Sequence, residues 1–209
     1  MPAQEDYLYN IRQYFSNTLK DHGPTSKGVD WNSLEAHEAR FFQLTKILPL
    51  DQPFSIMDYG CGYGELINYL DKHHFPYSSY IGYDILEDMI TAARDVFSSH
   101  ARCFFTSQLS EVPEVDYATA CGVFNMKLDA DYDEWTEFVI RSLLEMNNRV
   151  RMGFSVNFLT KYSDVEKMRS DLYYADPCYL FDYAKRNFSR NVALLHDYNL
   201  FDFTLLVRK

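Results

Sequence analysis

The stretch Asp58-Tyr-Gly60-Cys-Gly62-Tyr-Gly64 puts three glycines within five positions, directly after an apolar run that ends in an acid. Glycine lets the backbone take positive φ and lets a ligand lie close against it. A helix starting just after such a loop offers unpaired N–H groups. A second acid, Asp84, ends the run Tyr80-Ile-Gly-Tyr-Asp84, about 20 residues after Gly64. In a parallel sheet that carboxylate lies beside the first loop and can accept hydrogen bonds from both hydroxyls of a ribose. The chemistry is therefore the holding of a nucleoside-like ligand. A dinucleotide fingerprint is G-x-G-x-x-G, whereas Gly60, Gly62 and Gly64 make G-x-G-x-G and the next dinucleotide position is Glu65. The G-K-S or G-K-T of a P-loop is absent. Asp84 alone would serve a nicotinamide dinucleotide equally well. Asp58 decides against one, because it repels a pyrophosphate and suits a cationic or hydroxyl-bearing ligand.

These residues need strands and helices to hold them. Residues 5–20 carry Leu8, Ile11, Tyr14, Phe15 and Leu19 as one helical stripe. A turn-rich loop follows over 21–29. Ser33 is a helix N-cap for a second helix to about residue 48, with Pro49 and Pro53 beyond it. Strands are then predicted over 54–58, 79–84, 102–106, 115–121 and 151–158, with helices over 64–73, 87–98 and 132–147. That alternation predicts a mostly parallel sheet with helices on both faces, a doubly wound α/β fold. The last two runs, 191–198 and 201–208, have only Asn199-Leu200 between them, too short for a parallel crossover. The last of seven strands is therefore expected to pair antiparallel, and the chain is expected to form one domain over 1–209, with a core over 54–209.

Composition bounds the partners. The 209 residues are 47% hydrophobic, which suits a globular core. The formal net charge is −10, and the densest basic cluster is only Lys185, Arg186 and Arg190. A phosphate backbone or an anionic membrane is a poor expected partner for such a surface. The four cysteines, at 61, 103, 121 and 178, show no C-x-x-C spacing, so no zinc or dithiol site is expected. The polar start MPAQEDYLYN does not resemble a signal peptide, and no apolar run reaches membrane-spanning length. A cytoplasmic protein is expected.

With these motifs in place, the sequence resembles the class I S-adenosylmethionine-dependent methyltransferases. Asp58 to Gly64 matches the family's first motif, and Tyr83-Asp84-Ile85 its second. The resemblance spans roughly 54–209. It implies that Asp58 and Gly60, Cys61, Gly62 and Gly64 line the methionine part of the cofactor, that Asp84 holds the ribose and that Ile85 flanks the adenine. Thr106 and Ser107 end the third strand, where the family often places an acid; that acid is missing, and Ser107 stands in the position.

Ligands on open α/β sheets sit outside the carboxyl ends of the strands. Strand four ends in Cys121-Gly122-Val123-Phe-Asn125, so Gly122 and Val123 are expected against the cofactor and Asn125 against cofactor or acceptor. The Asn/Asp-Pro-Pro-aromatic tetrapeptide of amino-methylating nucleic acid enzymes is absent here. Tyr173, in the stretch before the helix from 179, could wall an acceptor pocket. His196, near the end of strand six, could take a proton from an acceptor. His37, His73, His74 and His100 look solvated. The N-terminal 1–50, with His22-Gly23, Lys27-Gly28-Val29-Asp30-Trp31 and the Arg40-Phe41 pair, resembles a narrower group of bacterial family members; acting as a lid, it would place Trp31 against the sulfonium and Arg40 on the cofactor carboxylate. The expected activity is methyl transfer to oxygen or nitrogen of a small polar acceptor such as a metabolite or sugar, by a monomer or homodimer. The alternative is a non-catalytic S-adenosylmethionine-binding regulator on the same fold.

Overall fold

The computed structural model describes residues 3–29 and 33–209. The short apolar runs become strands whose two faces are both covered, as continuous hydrophobic strands of a parallel sheet require. They are β1 (Phe54–Tyr59), β2 (Tyr77–Tyr83), β3 (Cys103–Thr106), β4 (Val115–Ala120), β5 (Val150–Thr160), β6 (Tyr174–Ala175), β7 (Asn191–Leu195) and β8 (Asp202–Arg208). The order across the sheet is β3-β2-β1-β4-β5-β8-β7, and the two-residue β6 lies beside the end of β5. β1 to β5 pair parallel, while β8 runs antiparallel to both β5 and β7. β7 therefore points the same way as the central strands.

The order reverses between β1 and β4, which is where a doubly wound sheet opens a crevice for a ligand. One face is packed by α2 (Leu34–Thr45), α3 (Glu65–Lys72) and α4 (Glu87–Val96), through Phe41, Leu44, Leu66, Leu70 and Ile90. The other carries α1 (Ala3–His22), α5 (Tyr132–Arg149) and α6 (Pro177–Asn187), through Tyr7, Ile11, Trp135, Val139 and Leu180. Side-chain oxygens of Ser33, Asp131 and Asp176 accept backbone N–H bonds at the starts of α2, α5 and α6.

The β3–β4 connection contains only a 3₁₀ turn, Leu109–Glu111, where this architecture usually places a crossover helix. α1 occupies that part of the face. Its Tyr7 ring lies 5.6 Å from Trp135 and 5.9 Å from Phe138 of α5, and Tyr7 and Ile11 share a core with Val112 and Val115. The N-terminal helix is thus part of the sheet's cover as well as a neighbour of the crevice.

Two boundaries differ from the sequence reading. An eighth strand exists because the chain beyond β5 returns at Tyr174 to pair alongside it. The β7–β8 connection spans six residues, 196–201, instead of two. There Tyr198 folds back so that its hydroxyl meets Thr204 Oγ1 at 3.0 Å, and Asn199 takes a positive φ of 55°.

Candidate functional site

A cavity of about 460 Å³ opens at the carboxyl ends of β1, β2 and β4. Its wall includes Asp58, Gly60, Cys61, Gly62, Asp84, Ile85, Gly122 and Val123. These nominated residues, from three separate stretches of chain, are brought together by the parallel pairing of β1 with β2 and β4.

The glycine loop is held by the second strand. The Gly60 and Cys61 N–H groups both donate to the Tyr83 carbonyl, at 2.7 and 3.0 Å. The Gly62 N–H donates to Asp84 Oδ2 and the Leu86 N–H to Asp84 Oδ1, each at 2.9 Å. Gly60 has φ of +76°, and a Cβ there would lie 2.4 Å from a Val123 methyl. A side chain at that position would clash with the cavity wall. Gly64 is different. It begins α3 with φ of +92°, and a Cβ would meet the Phe97 ring at 2.8 Å. Its glycine serves helix packing, and it is not among the lining residues.

Two acids lie beside the glycine loop in the cavity wall. Asp58 is 4% exposed, and the Tyr80 hydroxyl donates to it at 2.6 Å. Burial, with the Asp84 charge adding, pushes the Asp58 carboxyl up to about 7. Burial also raises Asp84, against the pull of the Gly62 and Leu86 N–H groups. Among the described residues neither acid forms an ion pair. Two acids without an ion-pair partner in one cavity fit a ligand that carries positive charge and a ribose diol.

That arrangement sets a pH dependence. Asp58 titrates above its ordinary range when folded, so its contribution to stability is fully present below about pH 4 and is lost as the pH rises through about 7. Binding of a cation requires the ionised form and runs the other way. The affinity of S-adenosylmethionine is expected to rise from pH 5.5 to 7, by up to about tenfold per unit, and then level off. Asp58→Asn should flatten that slope in calorimetric titrations. A slope equally steep in the variant would assign it to another group.

The remaining nominated residues lie elsewhere. Arg40 is outside the lining, and its Nε donates to Asp202 of β8, because α2 packs across β5 and β8. Ser107 donates to Glu87 at the start of α4 and does not line the cavity. Asn125 is a structural clamp: its Oδ1 accepts from the Leu159 N–H at 3.1 Å and its carbonyl from the Tyr173 N–H at 2.8 Å. Tyr173 is 1% exposed, packed on Tyr132 with its hydroxyl 2.9 Å from Thr136 Oγ1. His196 is exposed beyond β7, beside the Tyr162 and Phe203 rings. The hairpin leaves β7 at the sheet edge, two strands away from β5, and so removes His196 from the cavity. Trp31 lies outside the described residues.

Other lining residues were not nominated. Leu8, Ile11, Arg12 and Phe15 of α1 face the cavity, as do Trp135, Phe138 and Ser142 of α5. Val29, from the turn after α1, lies over the loop, and a Cβ on Gly62 would be 3.0 Å from its methyl. His37 of α2 is 5% exposed and lines the cavity, its ring 4.3 Å from that of Phe41. The helical stripe His37, Phe41, Leu44, Leu48 was the signal for its burial.

Fold, switch-point cavity, glycine cradle and paired acids together define a class I S-adenosylmethionine-dependent methyltransferase, and the chain belongs to that family. It is 48% identical over 164 residues to the protein named "Putative methyltransferase Rv1506c" from Mycobacterium tuberculosis (strain ATCC 25618 / H37Rv), an alignment that covers 78% of this chain and 98% of the relative. No protein-family profile matches. Among solved structures, the N-methyltransferase NodS from Bradyrhizobium japonicum WM9, in complex with S-adenosylhomocysteine, superposes with a TM-score of 0.65 at 12% identity, covering 96% of this chain and 98% of that one. A methyltransferase dependent on S-adenosylmethionine from Aquifex aeolicus gives 0.59 at 13% identity, with 85% and 94% covered. The protein is an enzyme of this class, and S-adenosylmethionine is its cofactor. Among the described residues, no helix is long and apolar enough to cross a membrane.

Proposed function

We propose that the enzyme methylates an oxygen or nitrogen atom of a small polar acceptor that enters the cavity above the glycine loop. The observation carrying this reading is the juxtaposition of Asp58 and Asp84 with the Gly60–Gly62 backbone in one cavity whose other walls are the helices α1, α2 and α5. Asp84 would take the ribose hydroxyls, Asp58 the positive end of the methionine part, and Ile85, Leu86 and Leu109 the adenine. The cofactor supplies a methyl group already activated on a sulfonium sulfur. The protein's work is then to place the acceptor in line, exclude water and remove a proton. Enclosure by α1 and α2, with Val29 over the loop, supports a small acceptor, as does the acidic net charge of −10.

Calorimetric titration with S-adenosylmethionine, S-adenosylhomocysteine and NAD tests the cofactor assignments. Micromolar binding of the first two and none of the third is expected. A panel of small hydroxyl and amine compounds, read by release of S-adenosylhomocysteine, tests the acceptor. Turnover only of nucleic acid or protein would overturn the small-acceptor reading.

A further inference from the structure

We infer that the acceptor is an anion, bearing a phosphate or carboxylate group that Arg12 and Arg141 hold at a mouth of the cavity between α1 and α5; this deepens the proposal above and rests on it. Among the described residues, three that line the cavity are exposed to solvent: Arg12 of α1, and Arg141 and Glu145 of α5. The other lining residues are buried or half-buried. A cavity meets water where its wall is exposed, so these three side chains mark an opening. The same two helices add the half-buried apolar side chains of Leu8, Phe15 and Phe138 to the wall.

This mouth is basic on an acidic protein. Two guanidinium groups stand there with one carboxylate, against a formal net charge of −10 for the chain. Among the described residues neither Arg12 nor Arg141 forms an ion pair. Arg141 Nη2 donates to the Tyr7 hydroxyl at 3.4 Å, which uses one of its five N–H donors. Glu134 and Glu137 act on that same hydroxyl but do not line the cavity. Arg149 donates to the Leu109 carbonyl at 3.4 Å, and its charge reaches Tyr83 together with those of Arg12, Glu145 and Asp84. The remaining charged groups of the wall lie elsewhere in it. Glu65 opens α3, and its Oε2 accepts from Asn68 Nδ2 at 3.0 Å. His37 is buried on α2, and Asp58 and Asp84 stand at the ends of β1 and β2. Positive charge thus enters the wall from α1 and α5, and negative charge from the strand ends and α3, with Glu145 as the exception.

The cofactor does not account for the two arginines. Its one anionic group is a carboxylate that shares a carbon with its ammonium. Both therefore belong at the Asp58 end, where the wall is buried. The acceptor is the ligand left to use the mouth. A guanidinium fork matches the paired oxygens of a carboxylate or phosphate. The acidic protein repels an anion at long range, and two arginines at the entrance reverse that potential locally. Leu8, Phe15 and Phe138 suit a body with apolar faces, such as a sugar or aromatic ring, that carries the charge. The arginines are specificity residues, binding the acceptor's charge away from the reacting atoms.

Calorimetry on the protein saturated with S-adenosylhomocysteine tests this with two matched sets of probes. One is glucose 6-phosphate and glucuronate against glucose; the other is phenyl phosphate and benzoate against benzyl alcohol. In at least one set an anion is expected to bind about tenfold or more tighter than its neutral partner, and the tighter of phosphate and carboxylate names the group. Arg12→Gln combined with Arg141→Gln should cut that preference by about fivefold or more. Glu145→Gln, which removes the acid of the rim, should tighten the same anion by about twofold. S-adenosylhomocysteine itself should change by less than about threefold in each variant, with unfolding midpoints reporting that each is folded. Equal affinity for anion and neutral partner, no anion bound below about 10 mM, or a preference that survives in the double variant would overturn the assignment. Weakening of S-adenosylhomocysteine by the same factor as the probe would also overturn it, by giving the arginines to the cofactor's carboxylate. In the acceptor panel, turnover of neutral small compounds alone would overturn the anionic acceptor and leave the small-acceptor reading standing. Turnover only of nucleic acid or protein would remove both.

Discussion

Asp84→Ala is expected to weaken S-adenosylmethionine binding by more than about 1.5 kcal/mol, at least tenfold in Kd. Two losses combine. The carboxylate would no longer accept charge-assisted bonds from the ribose, each worth roughly 1.5–3 kcal/mol. The Gly62 and Leu86 N–H groups, both held by Asp84 at 2.9 Å, would also lose their partner. The loop would then be held by the Gly60 and Cys61 N–H bonds to the Tyr83 carbonyl alone, and ordering its Gly62 end on binding adds to the cost. Isothermal calorimetry on a variant shown to be folded reads the effect directly. Affinity within about twofold of wild type would show that neither role is real. Asp84→Asn separates them, since an amide oxygen can keep one N–H partner but cannot supply the charge.

Arg40→Ala should destabilise the protein by about 3–5 kcal/mol, the usual result of stripping one partner from a buried ion pair. Asp202 is 1% exposed, and its Oδ2 accepts from both Arg40 Nε and, at 3.2 Å, Asn157 Nδ2. Its Oδ1 is buried without a hydrogen-bond partner among the described residues. Without the guanidinium, a carboxylate would remain in the core with only an amide to compensate it. The disturbance should also reach the cavity, because Asn157 Oδ1 accepts from the Gly122 N–H at 2.7 Å. Urea unfolding at pH 7.5 gives the stability change, and a loss under about 1 kcal/mol would contradict this account. Arg40→Met combined with Asp202→Asn should recover much of the loss, since no lone charge is then buried. A residue expected on the cofactor carboxylate is thus a tie between α2, β8 and the turn after β4.

The sequence by itself determined the βαβ unit to which the nucleoside is assigned. Gly60, Gly62, Asp58 and Asp84 are legible because their geometry is local: a strand end, a tight turn, and the neighbouring strand end that a right-handed crossover must place beside it. Strand polarity at the carboxyl end of the chain was equally legible, since a short connection admits only antiparallel pairing. Tertiary structure decided the rest of the site. Arg40 meets Asp202 across 162 residues of sequence, and no periodicity encodes that pairing. His37 looks solvated because a histidine on a helix usually is; the packing of α2 on β5 and β8 buries it beside Phe41. Asn125 and Tyr173 look like pocket residues from their position past strand ends. Their side chains are taken by the Leu159 N–H and by Thr136, and their main chains by each other, because buried polar groups of the chain after β4 and β5 must be satisfied within the fold. α1 reads as a cover for the crevice. It also fills the face left open by the short β3–β4 connection, a vacancy visible only once the sheet order is known.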